Sequence, residues 1–362
     1  MSSTYGENLK LSIFGQSHGP AIGMTLDGIP AGLPVDTEKL QVFLNRRAPG
    51  QGAHTTSRKE TDTPEFLAGI LDGFTCGAPI AAMIHNTNTR SGDYENLKYC
   101  PRPGHADYTA DVKYGGFQDV GGGGHFSGRL TAPLCIAGGL CKQWLEEMGI
   151  RIGAHIIQIG TQTTGNFNWL APELDKVDAN FPVLDPEAKV RFQTLIAGVK
   201  SRGDSIGGKI ECAVTGLPAG IGEPMFGGVE SRISQIIYGI PAVKAVGFGW
   251  SDSFALSWGS DSNDAYFMEN GTVKTASNHC GGILGGITTG MPVIFDVTFK
   301  PTPSIARQQQ TVDLRTGKTS QLEVTGRHDP CIVPRAVPVV EAAAAVAIYD
   351  MILGNTQTDR RK

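Results

Sequence analysis

The segment Ala336-Val337-Pro338-Val339-Val340-Glu341-Ala342-Ala343-Ala344-Ala345-Val346-Ala347-Ile348-Tyr349-Asp350-Met351-Ile352-Leu353 decides the fold. It reads as a helix, but its small and apolar side chains occupy every face, where a surface helix would show a single apolar stripe. A helix of this kind has to be enclosed and closely packed by its neighbours. Leu130 to Met148 is equally rich in small residues, so two helices are expected inside the core.

Working outward, Leu9 to Pro34 alternates apolar segments with glycine-rich turns and reads as strands. Asp36 or Thr37 then caps a helix with Leu40, Phe43 and Leu44 on one face, which runs out at Arg46-Arg47-Ala48-Pro49-Gly50. Lys209 to Thr215, Ala242 to Gly249 and Val293 to Phe299 have the length and flanking glycines of strands. A faint internal echo links two of these regions. Ile22-Gly23 leads through a strand to Gly28-Ile29-Pro30-Ala31-Gly32, and Ile206-Gly207 leads through another to Gly216-Leu217-Pro218-Ala219-Gly220, which hints at two similar halves. With no Pro-rich or Ser/Gly linker, one integrated domain over residues 1–353 is expected, followed by a polar tail at 354–362.

Bulk composition excludes several function classes. With 31 basic and 35 acidic residues the formal charge is -4, so no global field attracts nucleic acid or an anionic membrane, and any basic site has to be local. Met1 to Leu9 lacks a signal-peptide pattern and no apolar run reaches membrane-spanning length, so a cytoplasmic protein is expected. Seven cysteines without a C-x-x-C pair argue against a zinc site or a disulfide framework, and Cys76, Cys135, Cys141 and Cys212 read as small core residues. Glycine is the outlier, 48 of 362 or about 13% against an average near 7%. Dense glycine marks places where backbone turns sharply or approaches a ligand.

Three motifs invite rival readings. Gly15-Gln16-Ser17-His18-Gly19 matches the serine-hydrolase elbow, but it lies near the start of the chain and is followed by strand-like Met24-Thr25-Leu26 where an elbow needs a helix. Gly203 to Lys209 spells most of a phosphate-binding loop, yet Ile210 replaces the magnesium-binding Ser or Thr and a strand follows. Gly281 to Gly286 lacks the G-x-G-x-x-G spacing, which leaves a nicotinamide-binding Rossmann domain without support. Stronger is the clustering of His18, His105 and arginines 46, 47, 102, 129, 327 and 335 beside glycine or proline. In a chain without basic excess they fit a pocket for a polyanion, since guanidinium grips phosphate and carboxylate bidentately. Gly121 to Gly124, leading toward the helix near Leu130, would add bare backbone N–H groups.

These motifs occur in the order found in the chorismate synthase family, which the chain resembles from about Leu9 to Leu353. The series comprises residues 15–19, 46–50, Arg102-Pro103-Gly104-His105-Ala106-Asp107, Asp204-Ser205-Ile206-Gly207, Ile240-Pro241-Ala242-Val243-Lys244, residues 278–286, Lys300-Pro301-Thr302-Pro303-Ser304 and Arg327-His328-Asp329-Pro330-Cys331. The resemblance implies an α+β fold, a β-α-β sandwich with central helices enclosed by antiparallel sheets, and a homotetramer. It implies elimination of phosphate from 5-enolpyruvylshikimate 3-phosphate, with reduced FMN (FMNH2) required but not consumed. By similarity His18 would protonate the departing phosphate, His105 would protonate the flavin near N1, and Asp329 with Ser17 would relay the proton received at N5. Arg46, Arg47, Arg129 and Arg327 would hold substrate. His125, Phe126, Ser127, Pro241, Ala242, Gly285, Lys300, Pro301, Thr302, Pro303, Ser304 and Arg327 would meet the flavin, and no metal is implied. The chain departs from the family at Gln16, usually Glu, at Ala53, often Arg, and at His125 to Leu130, usually Arg-Ser-Ser-Ala-Arg-Glu. An imidazole at 125 implies an anion contact that weakens between about pH 6 and 8.

Overall fold

The computed structural model describes residues 3–48, 50, 61–87, 97–324 and 328–355. Its first half runs through strands β1 (Thr4–Tyr5), β2 (Lys10–Gly15) and β3 (Ala21–Asp27), helix α1 (Thr37–Arg47), β4 (Glu65–Ala68), the small hairpin β5 (Ile70–Leu71) and β6 (Phe74–Thr75), and β7 (Ile80–His85). A connecting stretch carries α2 (Asp107–Tyr114) and leads into α3 (Thr131–Glu147). The second half comprises β8 (Arg151–Ile159), β9 (Gln162–Thr163), α4 (Pro186–Ser201), β10 (Gly208–Thr215), α5 (Val229–Ile237) and β11 (Val243–Phe248). It continues through α6 (Gly259–Ser262), the hairpin β12 (Tyr266–Glu269) and β13 (Thr272–Thr275), the pair β14 (Ile283–Leu284) and β15 (Ile287–Thr288), and β16 (Val293–Phe299). A last hairpin, β17 (Gln309–Asp313) and β18 (Lys318–Leu322), precedes α7 (Val333–Gly354).

Two five-stranded antiparallel sheets, ordered β1-β2-β3-β7-β4 and β11-β16-β10-β8-β9, enclose α1, α3, α5 and α7. The expected sandwich is borne out. α7 packs chiefly on α3, and small residues on both helices are the reason: a Cβ on Gly138 of α3 would lie 2.4 Å from Cα of Ala342 on α7, and one on Gly139 would lie 2.5 Å from Cδ1 of Leu40 on α1. Glycine at 138 lets the α3 and α7 backbones touch, and glycine at 139 makes room for the α1 side chains Leu40 and Phe43. α7 is the one helix among the described residues long and apolar enough to cross a membrane, and it lies buried between the sheets. Asp36 is the N-cap of α1, its carboxylate accepting the Lys39 amide at 2.8 Å.

The internal echo is structural. Aligned as β2-β3-β7-β4 and β8-β10-β16-β11, the sheets share one strand order, with α1 matching α5 and α3 matching α7. Both Gly-x-Pro-Ala-Gly turns are built alike. Gly28 and Gly216 adopt φ of 80° and 81°, and the amides of Gly32 and Gly220 donate to the carbonyls of Thr75 and Thr288 at 2.8 and 2.9 Å. Each threonine hydroxyl accepts from the next amide, Leu33 or Ile221, and donates to Pro30 or Pro218 at 2.7 Å. The core cysteine reading holds for Cys135, Cys141 and Cys212, whereas Cys76 is exposed because it follows the edge hairpin β5–β6 and not a packed strand.

Candidate active site

Segments from both halves meet at one end of the sandwich around a cavity of about 670 Å³. That volume falls within the ~300–1,000 Å³ of small-molecule and cofactor sites. The β2–β3 turn brings Ser17 and His18, the stretch between the halves brings Arg102 to Ala106 and Gly122 to Thr131, and the α5–β11 link brings Tyr238 to Lys244. The end of β16 contributes residues up to Ser304, and the start of α7 contributes Asp329, Arg335 and Ala336. The N-terminal turns of α3 and α7 both border the cavity, so two positive helix ends favour an anion there.

The two histidines bracket a single peptide unit. Gly122 and Gly123 have φ of 60° and 95°, conformations open to glycine. A Cβ on Gly122 would stand 2.2 Å from Nδ1 of His18, and one on Gly123 would stand 3.1 Å from Cε1 of His105. Any side chain at 122 would evict His18. The glycine run therefore lets imidazoles reach the backbone, in place of the anion cradle expected for it: the Gly121 amide donates to Asp119 at 2.9 Å and the Gly123 amide to Val120 at 3.2 Å. Ser17 donates its hydroxyl proton to the Gly121 carbonyl at 3.0 Å and lies 3.2 Å from His18 Nδ1. With that proton engaged, the serine oxygen accepts from Nδ1–H of His18. Ser17 sits in a turn between antiparallel strands, so the hydrolase elbow is absent. Gly203 to Gly207 joins α4 to β10, with no helix following it to face a phosphate.

Carboxylates behind the wall fix the cations in front of it. Asp107 takes Arg102 through Nε at 2.7 Å and Nη2 at 2.8 Å, and its Oδ1 lies 2.5 Å from Nδ1 of His105. Burial works against ionisation of Asp107, but Arg102 and His105 hold its carboxyl well below the usual carboxylate range. The imidazole is thereby set with Nδ1–H toward Asp107 and Nε2 as its other nitrogen. Asp62, buried and at φ 48°, accepts from Arg47 Nη1 at 2.5 Å and also binds Arg129. Its pKa is lowered because these two guanidiniums outweigh its burial. Arg335 pairs with Asp329 and donates through Nε to the Arg47 carbonyl at 3.0 Å. Among the described residues, Arg47, Arg102, Arg129, Arg335, Lys244 and Lys300 line the cavity against the single carboxylate of Asp329. Burial and the neighbouring Lys244 lower the pKa of Lys300, whose ammonium binds the Gly104 carbonyl.

Most of the residues expected at the site converge here: Ser17, His18, Arg47, His105, His125, Phe126, Ser127, Arg129, Pro241, Ala242, Lys300, Thr302, Pro303, Ser304 and Asp329. Three do not line the cavity. Arg46 turns into the core, where Glu341 takes both its terminal nitrogens at 2.7 and 2.8 Å. Gly285 forms the tight β14–β15 turn, and Pro301 backs onto Gly207. Arg327, Pro49 and Ala53 lie outside the described residues. His125 already uses both ring nitrogens, 2.9 Å from the Gly15 carbonyl and 2.8 Å from the Ser3 hydroxyl, so it meets an anion only by giving up one of them. Asp62, Lys244 and His328 were missed. Asp62 carries no local signal, because its partners lie 15 and 67 positions away.

The profile of the family described as chorismate synthase matches residues 9–353. The chain belongs to the chorismate synthase family. The chorismate synthase of Lancefieldella parvula is 45% identical, with 97% of this chain and 96% of that protein covered. That of Korarchaeum cryptofilum is 43% identical, with 96% and 97% covered. A crystal structure of chorismate synthase superposes with a TM-score of 0.76 at 29% identity, covering 96% of this chain and 93% of that one. The family implies a flavin, and the cavity fits one. An apolar wall of Ile240, Pro241, Ala242, Val339 and the half-exposed Phe126 ring faces cationic and hydroxyl groups, and a buried nitrogen of His328 has no partner among the described residues. Ala242 holds φ at 75°, a strained conformation for alanine of the kind that gathers at ligand sites.

Proposed function

We infer that the chain converts 5-enolpyruvylshikimate 3-phosphate to chorismate and phosphate, as an enzyme of the shikimate pathway. In this 1,4-elimination the ring C–O bond to phosphate breaks, a ring C–H bond breaks, and a new ring double bond forms. The observation that carries the reading is the pair of imidazoles against Gly122 and Gly123 within an arginine-lined cavity. Arg47 and Arg129, fixed by Asp62, would neutralise the leaving phosphate and the carboxylates, because phosphate departs poorly while its charge is uncompensated. His18 would deliver a proton from Nε2 to the departing phosphate, a step typically worth ~10²–10⁴-fold. Reduced FMN, met by Phe126, Ser127, Pro241, Ala242, Lys300 and Ser304, would supply the electron density that makes an unactivated C–H bond breakable. His105, oriented by Asp107, would hold a proton on its cavity side, and Asp329 with Ser17 would carry away the proton that the ring loses.

We also propose that the enzyme is a cytoplasmic homotetramer. In support, Leu256, Trp258, Tyr266 and Met268 expose large apolar side chains in the excursion between β11 and β14, a surface suited to partner copies.

Anaerobic incubation with reduced FMN and 5-enolpyruvylshikimate 3-phosphate tests the reaction. Phosphate should appear in step with chorismate while the flavin stays reduced. His18→Ala and His105→Ala should each lose about 10²–10⁴-fold in turnover while remaining folded. Flavin oxidation in proportion to product, or near-normal rates in both variants, would remove the reading.

A further inference from the structure

The proposed reaction gives His328 no task. His328 lines the cavity, yet its Nε2 is buried with no hydrogen-bond partner among the described residues. An unpaired buried nitrogen lowers stability, and a native protein keeps one where strain, chemistry or a ligand accounts for it. The surroundings define the partner. Burial, reinforced by the positive charge of Arg102, pushes the imidazole down to about 4, so at neutral pH it carries one N–H donor and one lone pair and no charge. The anionic groups of a bound ligand already have guanidiniums to meet them in Arg47, Arg102 and Arg129. A neutral imidazole beside them adds little for an anion, but it matches an uncharged edge that both donates and accepts. Rotation about χ2, a broad torsion in histidine, would bring a ring nitrogen to the cavity face.

We propose that His328 is a cofactor-binding residue whose ring nitrogen pairs with an uncharged donor–acceptor edge of the bound flavin, the pyrimidine part of its ring system. The assignment rests on reading this cavity as the flavin site. It explains why a group that destabilises the empty protein is kept.

The test separates a binding role from a structural one. Oxidised FMN is titrated into the protein with 5-enolpyruvylshikimate 3-phosphate present, followed by flavin fluorescence, for wild type, His328→Leu and His328→Asn. Substrate binding is measured in parallel without FMN. His328→Leu is expected to weaken FMN binding by about tenfold or more, and Asn, which still donates and accepts, to recover part of that loss. The Tm of ligand-free His328→Leu is expected to equal or exceed that of wild type, since an unpaired group has been removed. Wild-type FMN affinity in His328→Leu, or a Tm several degrees lower, overturns the proposal. So does a loss confined to substrate binding, which would place the nitrogen on the other ligand. If wild type itself binds no FMN, the flavin reading falls first, and the partner of His328 with it.

Discussion

Asp107 stands two positions after His105, and that spacing places a carboxylate on Nδ1 while the rest of the imidazole stays with the cavity. Both members sit on one short segment, but their pairing is seen only in the structure. Asp62 is the opposite case: it gathers Arg47 and Arg129 from distant segments, and nothing around it announces that role. His328 offers a pH test at this scale. Its native pKa of about 4 lies below the 6.5 of an unperturbed imidazole, mainly through burial. Between those values the unfolded chain binds a proton that the native state refuses, so stability falls as pH drops from about 6.5 to 4. The urea midpoint of wild type should decline through that window by more than that of His328→Leu. Parallel declines would mean that the ring charges as readily in the folded protein as out of it.

Helices α3 and α7 make the same argument in packing. Gly138→Ala would gain about 1 kcal/mol of helix propensity. Its methyl group would, however, lie 2.4 Å from both Cα and Cβ of Ala342, where two backbones are already in contact. Overpacking of this kind costs about 1–3 kcal/mol, so the expected net result is a lower Tm, read by calorimetry. A higher Tm would show that the helices separate without loss. Both helices were legible because small residues on all faces leave enclosure as the only stable placement. The glycine run at 121–124 was legible as a special backbone but not for its purpose. Whether it meets an anion or an imidazole depends on what the β2–β3 turn sets against it.

Across the whole molecule, charge placement separates support from chemistry. Glu341 is buried at the centre, where Arg46 and Lys142 reach it. Burial alone would raise its pKa, but these two cations bring it down to about 2. Arg46→Ala should therefore cost about 1.5–3 kcal/mol of stability, the range for hydrogen bonds to charged groups, and leave KM for the phosphorylated substrate near wild type. A large rise in KM with unchanged stability would restore Arg46 to the site. Arg46 and Arg47 are neighbours in sequence, yet successive residues on a helix point about 100° apart, so one enters the core and the other the cavity. The sequence by itself determined the buried helices, the strands around them, the two matching turns and the set of histidines and arginines, because periodicity, side-chain size and local spacing are written along the chain. Tertiary structure alone decided which arginines face substrate, that Asp62 anchors two of them, and that His328 has no partner for Nε2 among the described residues. Those outcomes depend on distances between segments far apart in the chain, which only packing of the two sheets around the helices sets.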